Sequence, residues 1–134
     1  MLVVLISESN NTYATGINAT YSSCSVLTSS QDKISSTNYP NNYANFESIC
    51  WVISPPDDYV VNLSFNFFDT LLKFDYVQVN DGNSTFSPVL LSASGNTIPD
   101  DVTSSSNIML IVFSSSAASV RQGFEAVFYS ALAG

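Results

Sequence analysis

The chain has 134 residues, with three Lys or Arg against eleven Asp or Glu, no histidine and a formal net charge of −8. The length suits one domain with a real core, and 46 % hydrophobic residues exclude a disordered chain. Lys33, Lys73 and Arg121 are the only cations, which excludes nucleic-acid binding; the lack of histidine excludes Ser-His-Asp triads, Cys-His dyads and His-ligated zinc.

Along the chain, the first feature is the apolar run Leu2–Ile6. It has no basic flank and is shorter than the usual signal-peptide core of about 7–15 residues. No run approaches the ~18–20 apolar residues of a membrane span, so no membrane insertion is expected. Residues 1–23 read as an N-terminal extension and residues 24–134 as the domain. The extension reads as an ordinary first strand or a processing remnant. The alternative is an edge or donor strand pairing with a sheet edge of this domain or of a neighbouring copy, because the run is apolar and carries little charge.

Strands are expected at Cys24–Thr28, Ile49–Ser54, residues 59–67, Phe74–Asn80, Val89–Ser92, Ile108–Phe113 and Phe124–Tyr129. Residues 59–67 alternate with period two, placing Val61, Leu63, Phe65 and Phe67 on one face and Val60, Asn62, Ser64 and Asn66 on the other. Ile108–Phe113 is apolar on both faces, as a central strand covered on both sides would be. Turn signals separate the strands, among them Pro55-Pro56-Asp57-Asp58, Asp81-Gly82-Asn83 and Ser94-Gly95-Asn96. No segment sustains a 3.6-residue apolar period. The pattern is that of an all-β sandwich.

The chain also carries 24 serines, 9 threonines and 13 asparagines, so its polar surface is built from hydroxyls and amides. Four N-x-S/T sequons fall at Asn10, Asn18, Asn62 and Asn83. Asn62 stands on the solvent face of its strand, where a glycan would not disturb the core. Cys24 and Cys50 could close one disulfide loop, or could be two buried thiols. The acid pairs Asp57-Asp58 and Asp100-Asp101 sit in turn-like contexts and read as solvated turn acids, not a glycosidase pair. The serine runs have no base to activate a nucleophile, so no enzyme is expected.

Several stretches, in order, resemble the CUB domain family over roughly Cys24 to Tyr129. Cys24 stands where the first family cysteine falls. Ile34–Tyr43 resembles I-x-S-P-N-Y-P-x-x-Y, and Trp51-Val52-Ile53, followed by prolines and Tyr59, resembles W-x-I and P-x-G-Y. Phe65, Phe68 and Asp69 resemble F-x-x-F-D. Phe74–Gly82 is similar to Y-D-Y-V-E-I-x-D-G, Ser94–Pro99 to C-G-x-x-I-P, and Gly123-Phe124-Glu125-Ala126 to G-F-x-A. The resemblance implies a CUB-like β-sandwich of jelly-roll type, two antiparallel sheets, in an extracellular or secreted protein.

The resemblance implies that Cys24 pairs with Cys50, although Cys50 directly precedes Trp51 where the family has C-x-W. The second family disulfide has no counterpart, and Ser94 takes one of its positions. Many family members bind calcium through a Glu and two Asp. Asp75 matches one of these; Leu71 stands at the Glu, and Ser116 or Ser115 at the last Asp. With Asp75 and Asp69 the only weak metal candidates, no calcium and no other cofactor are expected.

The expected function is a non-catalytic extracellular interaction module for adhesion or extracellular assembly, contacting another protein or copies of itself. The alternative is a carbohydrate-binding, spermadhesin-like domain. For either partner the candidate contact residues are Tyr39, Asn41, Asn42 and Tyr43. A regulatory domain of a larger protease also fits the resemblance, with no catalytic sequence here to support it.

Overall fold

The computed structural model describes residues 24–133. The extension expected at residues 1–23, with its sequons at Asn10 and Asn18, lies outside the described residues. Nine strands follow in order: β1 (Ser25–Leu27), β2 (Gln31–Ser35), β3 (Ser48–Ile53), β4 (Tyr59–Asp69), β5 (Tyr76–Asn80), β6 (Val89–Ala93), β7 (Val102–Thr103), β8 (Met109–Ser114) and β9 (Gly123–Leu132). There is no helix among the described residues.

The strands form two sheets, ordered β2-β9-β4-β7 and β1-β3-β8-β5-β6. All neighbours are antiparallel except β1 and β3, which run parallel with Ser25 opposite Trp51 and Leu27 opposite Ile53. The two sheets are antiparallel as expected, with this one parallel pair at an edge. The reason is connectivity: the chain leaves β1, crosses to the other sheet as β2, and returns through the long 36–47 segment to enter β3 from the same end as β1.

The sandwich interior is built by the apolar side of each strand. Ile34, Val61, Leu63, Phe65, Phe68, Phe124, Ala126 and Phe128 come from one sheet. Ile53, Val77, Val79, Met109, Ile111 and Phe113 meet them from the other. Phe124 is the hub, its ring centroid 5.7 Å from Trp51, 5.8 Å from Phe113 and 5.9 Å from Phe65. Each of these buried side chains larger than Ala126 contributes about 1.5–3 kcal/mol of transfer free energy. β8 is covered on both faces as its sequence implies: Leu110, on the outer side, packs with Val52 and Cys24.

Alternation in β4 breaks at one point. Glu125 faces Phe67 and Ala126 faces Phe65, leaving Asn66 as the extra residue of a bulge. An inserted residue reverses the side-chain phase beyond it. Phe67, expected inward, is therefore turned out against the Tyr39 ring at 5.5 Å, and Phe68 takes the core position.

Cys24 and Cys50 are bonded, with Cα atoms 4.8 Å apart. They sit just beyond the β1–β3 register on the outer face, while Trp51 points inward. With a sequence separation of 26, the loop contributes about 3.5 kcal/mol in the chain-entropy model. Reduction should lower the unfolding free energy by about that amount. Urea denaturation with and without a thiol reductant measures it, and coincident curves would show that the bond adds nothing.

The two ends of the sandwich differ. One end gathers the 36–47, 70–75 and 115–122 loops, because β4, β8 and β2 all finish there. The other holds the 54–58 and 81–88 turns and the end of β9, where the Ala133 amide donates to the Asp58 carbonyl at 2.7 Å.

Candidate functional site at the loop end

Asp75 leads into β5 at the loop end and is 1 % exposed. Its Oδ2 accepts from the Tyr43 hydroxyl at 2.6 Å. Its Oδ1 accepts from the Ser116 amide at 2.8 Å and the Ser116 hydroxyl at 2.9 Å. The carboxylate thus ties together the three loops that converge there. The Tyr43 oxygen also accepts from the Leu71 amide at 3.2 Å, so the phenol both gives and receives. Burial, followed by the bond to Asp75, pushes the Tyr43 phenol well above its ordinary pKa. Thr70, equally buried, donates to the Asp75 carbonyl at 2.9 Å and accepts from the Gly95 amide at 3.0 Å.

The donor set does not fit a calcium ion. Calcium takes six to eight oxygens, mostly carboxylate. Both oxygens of Asp75 are occupied by protein donors, and Leu71 and Ser116 contribute no carboxylate. Glu47 Oε1 is buried without a hydrogen-bond partner, but no three His, Cys, Asp or Glu side chains converge among the described residues. Asp69 lies apart, in a shallow open depression with Asn41, Asn42, Arg121 and Gln122.

The contact residues expected from sequence are split. Tyr43 is 2 % exposed and belongs to the core, its ring 4.9 Å from Phe113, so it is not a surface contact. The pull inward comes from the apolar ring and from the buried acceptor waiting for its hydroxyl. Tyr39 is half-buried on Phe67. Asn41 and Asn42 are exposed. Asn62 is half-buried on the outer face of its sheet, and Asn83 is exposed in the β5–β6 connection.

A different set of side chains dominates the surface here. Phe46 is 76 % exposed, Phe74 62 %, Leu72 59 % and Tyr76 36 %. The Phe46 amide donates to the Ser116 carbonyl at 3.1 Å, and Phe74 and Tyr76 flank Asp75. Ser116 therefore holds Phe46 beside the Phe74–Tyr76 segment. Phe46 sits at φ 58°, a left-handed conformation rare for an aromatic residue. Leu72, Phe74 and Tyr76 carry no site signal in the sequence, since Phe74 and Tyr76 belong to a segment that reads as strand.

The CUB domain family profile matches residues 23–128, the whole of the sandwich except the end of β9. This chain belongs to the CUB domain family. It is 36 % identical over 100 residues to a bone morphogenetic protein 1 homolog of Strongylocentrotus purpuratus, covering 72 % of this chain and 16 % of that protein. It is 38 % identical over 116 residues to an astacin-like metalloendopeptidase of Coturnix japonica, covering 82 % of this chain and 28 % of that one. Among solved structures it superposes on the full extracellular region of zebrafish Gpr126/Adgrg6 with a TM-score of 0.73 and 27 % identity, over 81 % of this chain and 15 % of that one. The chain thus spans under a third of the length of each. The CUB domain is a non-catalytic module, and this one is a CUB sandwich with a disulfide.

Proposed function

We propose that this CUB domain is an extracellular protein-interaction module that makes its contact through the apolar rim at the loop end, in adhesion or in an extracellular assembly. The observation that carries the reading is Phe46, an aromatic side chain 76 % exposed and held in a left-handed backbone conformation by its bond to Ser116. Such a conformation costs about 1–3 kcal/mol and persists where surrounding structure imposes it. Exposed apolar side chains grouped at one site mark interaction surfaces. Phe46, Leu72, Phe74 and Tyr76 carry no charge, so a contact through them rests on apolar and neutral polar groups and is expected to weaken little with added salt.

The carbohydrate-binding alternative has lost an aromatic, because Tyr43 is in the core; Asn41 and Asn42 remain beside the depression. The test is an arrayed panel of secreted ectodomains, each probed with wild type and with Phe46→Asp. A protein ligand bound by wild type, insensitive to salt and lost in Phe46→Asp, is expected. Phe86→Asp, at the opposite end, serves as the control and keeps binding. Binding unaffected by Phe46→Asp, or selective glycan-array hits lost with Asn41→Ala and Asn42→Ala, would overturn the reading.

A further inference from the structure

One row of side chains crosses the outer face of the four-stranded sheet without a charge in it. Gln31 of β2 stands opposite Tyr129 of β9, Tyr129 opposite Asn62 of β4, and Asn62 opposite Thr103 of β7. The Thr103 hydroxyl donates to Asn62 Oδ1 at 2.7 Å. The carboxamide is planar, so an oxygen committed to the β7 side turns Nδ2 away from it, toward the β9 side. On that side Tyr129 is 51 % exposed. Directly opposite residues of an antiparallel pair have Cβ atoms about 4.5–5.5 Å apart. The Asn62 sequon thus places its reactive nitrogen next to an open aromatic ring.

We infer that Asn62 is an N-glycosylation site whose first sugar packs on the Tyr129 ring. In the modification Asn62 Nδ2 attacks the anomeric carbon of an oligosaccharide carried on a polyprenyl pyrophosphate. The N–C bond forms, the C–O bond to the pyrophosphate breaks with its electron pair leaving on the pyrophosphate, and Nδ2 gives up one proton. The product amide keeps Oδ1 and one N–H, so the Thr103 bond survives and holds the linkage in place. The apolar face of the sugar ring then covers the exposed ring face of Tyr129, whose hydroxyl stays in water. The row offers no charge to desolvate beneath the sugar.

The inference rests on the extracellular reading above. Its test is secretion of the full chain from a eukaryotic host behind a leader peptide. The glycans are removed with an amidase in heavy-oxygen water, which marks each formerly glycosylated Asn as labelled Asp in peptide mass maps. Label at Asn62 is expected, and Ser64→Ala, which breaks its sequon, removes it. The glycosylated protein should melt about 3–6 °C above the Ser64→Ala protein, whose Asn62 stays an unmodified amide. Tyr129→Ser should erase that difference without emptying Asn62. An unmodified Asn62 beside a modified Asn83 overturns the inference and leaves the extracellular reading standing; so does a melting difference unchanged in Tyr129→Ser. Unlabelled sequons throughout would overturn it as well.

Discussion

Asp75→Ala should lower the unfolding free energy by about 3–5 kcal/mol, the largest loss expected of any single polar substitution here. The carboxylate accepts three hydrogen bonds in a site 1 % exposed. Without it the Tyr43 hydroxyl and both Ser116 donors lose their acceptor where little water can replace it. Bonds to a carboxylate contribute about 1.5–3 kcal/mol each, and three on one group sum to less than three times that. A domain of this size has only about 5–15 kcal/mol in total. Asp75→Asn should fall between the two, since it keeps an acceptor for Ser116 and turns a donor toward the Tyr43 oxygen. Urea midpoints of the three proteins measure the order, and equal midpoints would show that the network is not structural. Millimolar calcium should leave the wild-type midpoint where it is. An ion bound only by the folded state would raise it, and such a rise would place calcium at the loop end after all.

Gly123→Ala should cost about as much, for a reason of backbone and space. Gly123 opens β9 at φ 92°, where an L side chain is strained. An added Cβ would fall onto Ser36 Oγ and lie 2.7 Å from Ser36 Cβ. Ser36 cannot simply yield. It is 2 % exposed, its amide donates to the Phe124 carbonyl at 3.0 Å, and its hydroxyl accepts from the Phe124 amide at 3.0 Å. Strain of about 1–2 kcal/mol and overpacking of about 1–3 kcal/mol act together, giving roughly 3–5 kcal/mol. Ser36→Gly in the same chain removes the obstructing atoms and should recover part of the loss. A double variant no better than Gly123→Ala alone would place the cost in the backbone conformation rather than the collision.

Much of this sandwich was legible because its core strands obey period two or are apolar throughout. Val61, Leu63, Phe65, Ile111, Phe113 and Phe124 are buried as their pattern implies. What escaped had no pattern to read. β2 is Gln-Asp-Lys-Ile-Ser, an edge strand with Ile34 alone fully buried, and β7 is two residues long. The bulge at Asn66 is set by pairing with β9, so Phe67 could not be assigned to its face from β4 alone. Tyr43 read as a loop aromatic because its partner, Asp75, is 32 residues away, and only the fold brings acceptor and ring to one place. Asp75 itself was found as a match to a metal ligand, whereas its surroundings were decided by Ser116, a hydroxyl that composition makes common and motif reading passes over. Leu72 and Phe74 look like core residues in the sequence, and their exposure follows from the short 70–75 turn; Tyr76 is turned out by the phase of β5, whose Val77 and Val79 point inward.

The Ala133–Asp58 bond fixes a direction for the whole module. The last described strand ends at the pole opposite Phe46, some ten strand residues below Gly123. A tether at that pole, to a surface or to a neighbouring unit, would leave the rim outermost and the Asn62 flank sideways. Contact at the tip and attachment at the base would then not compete for space.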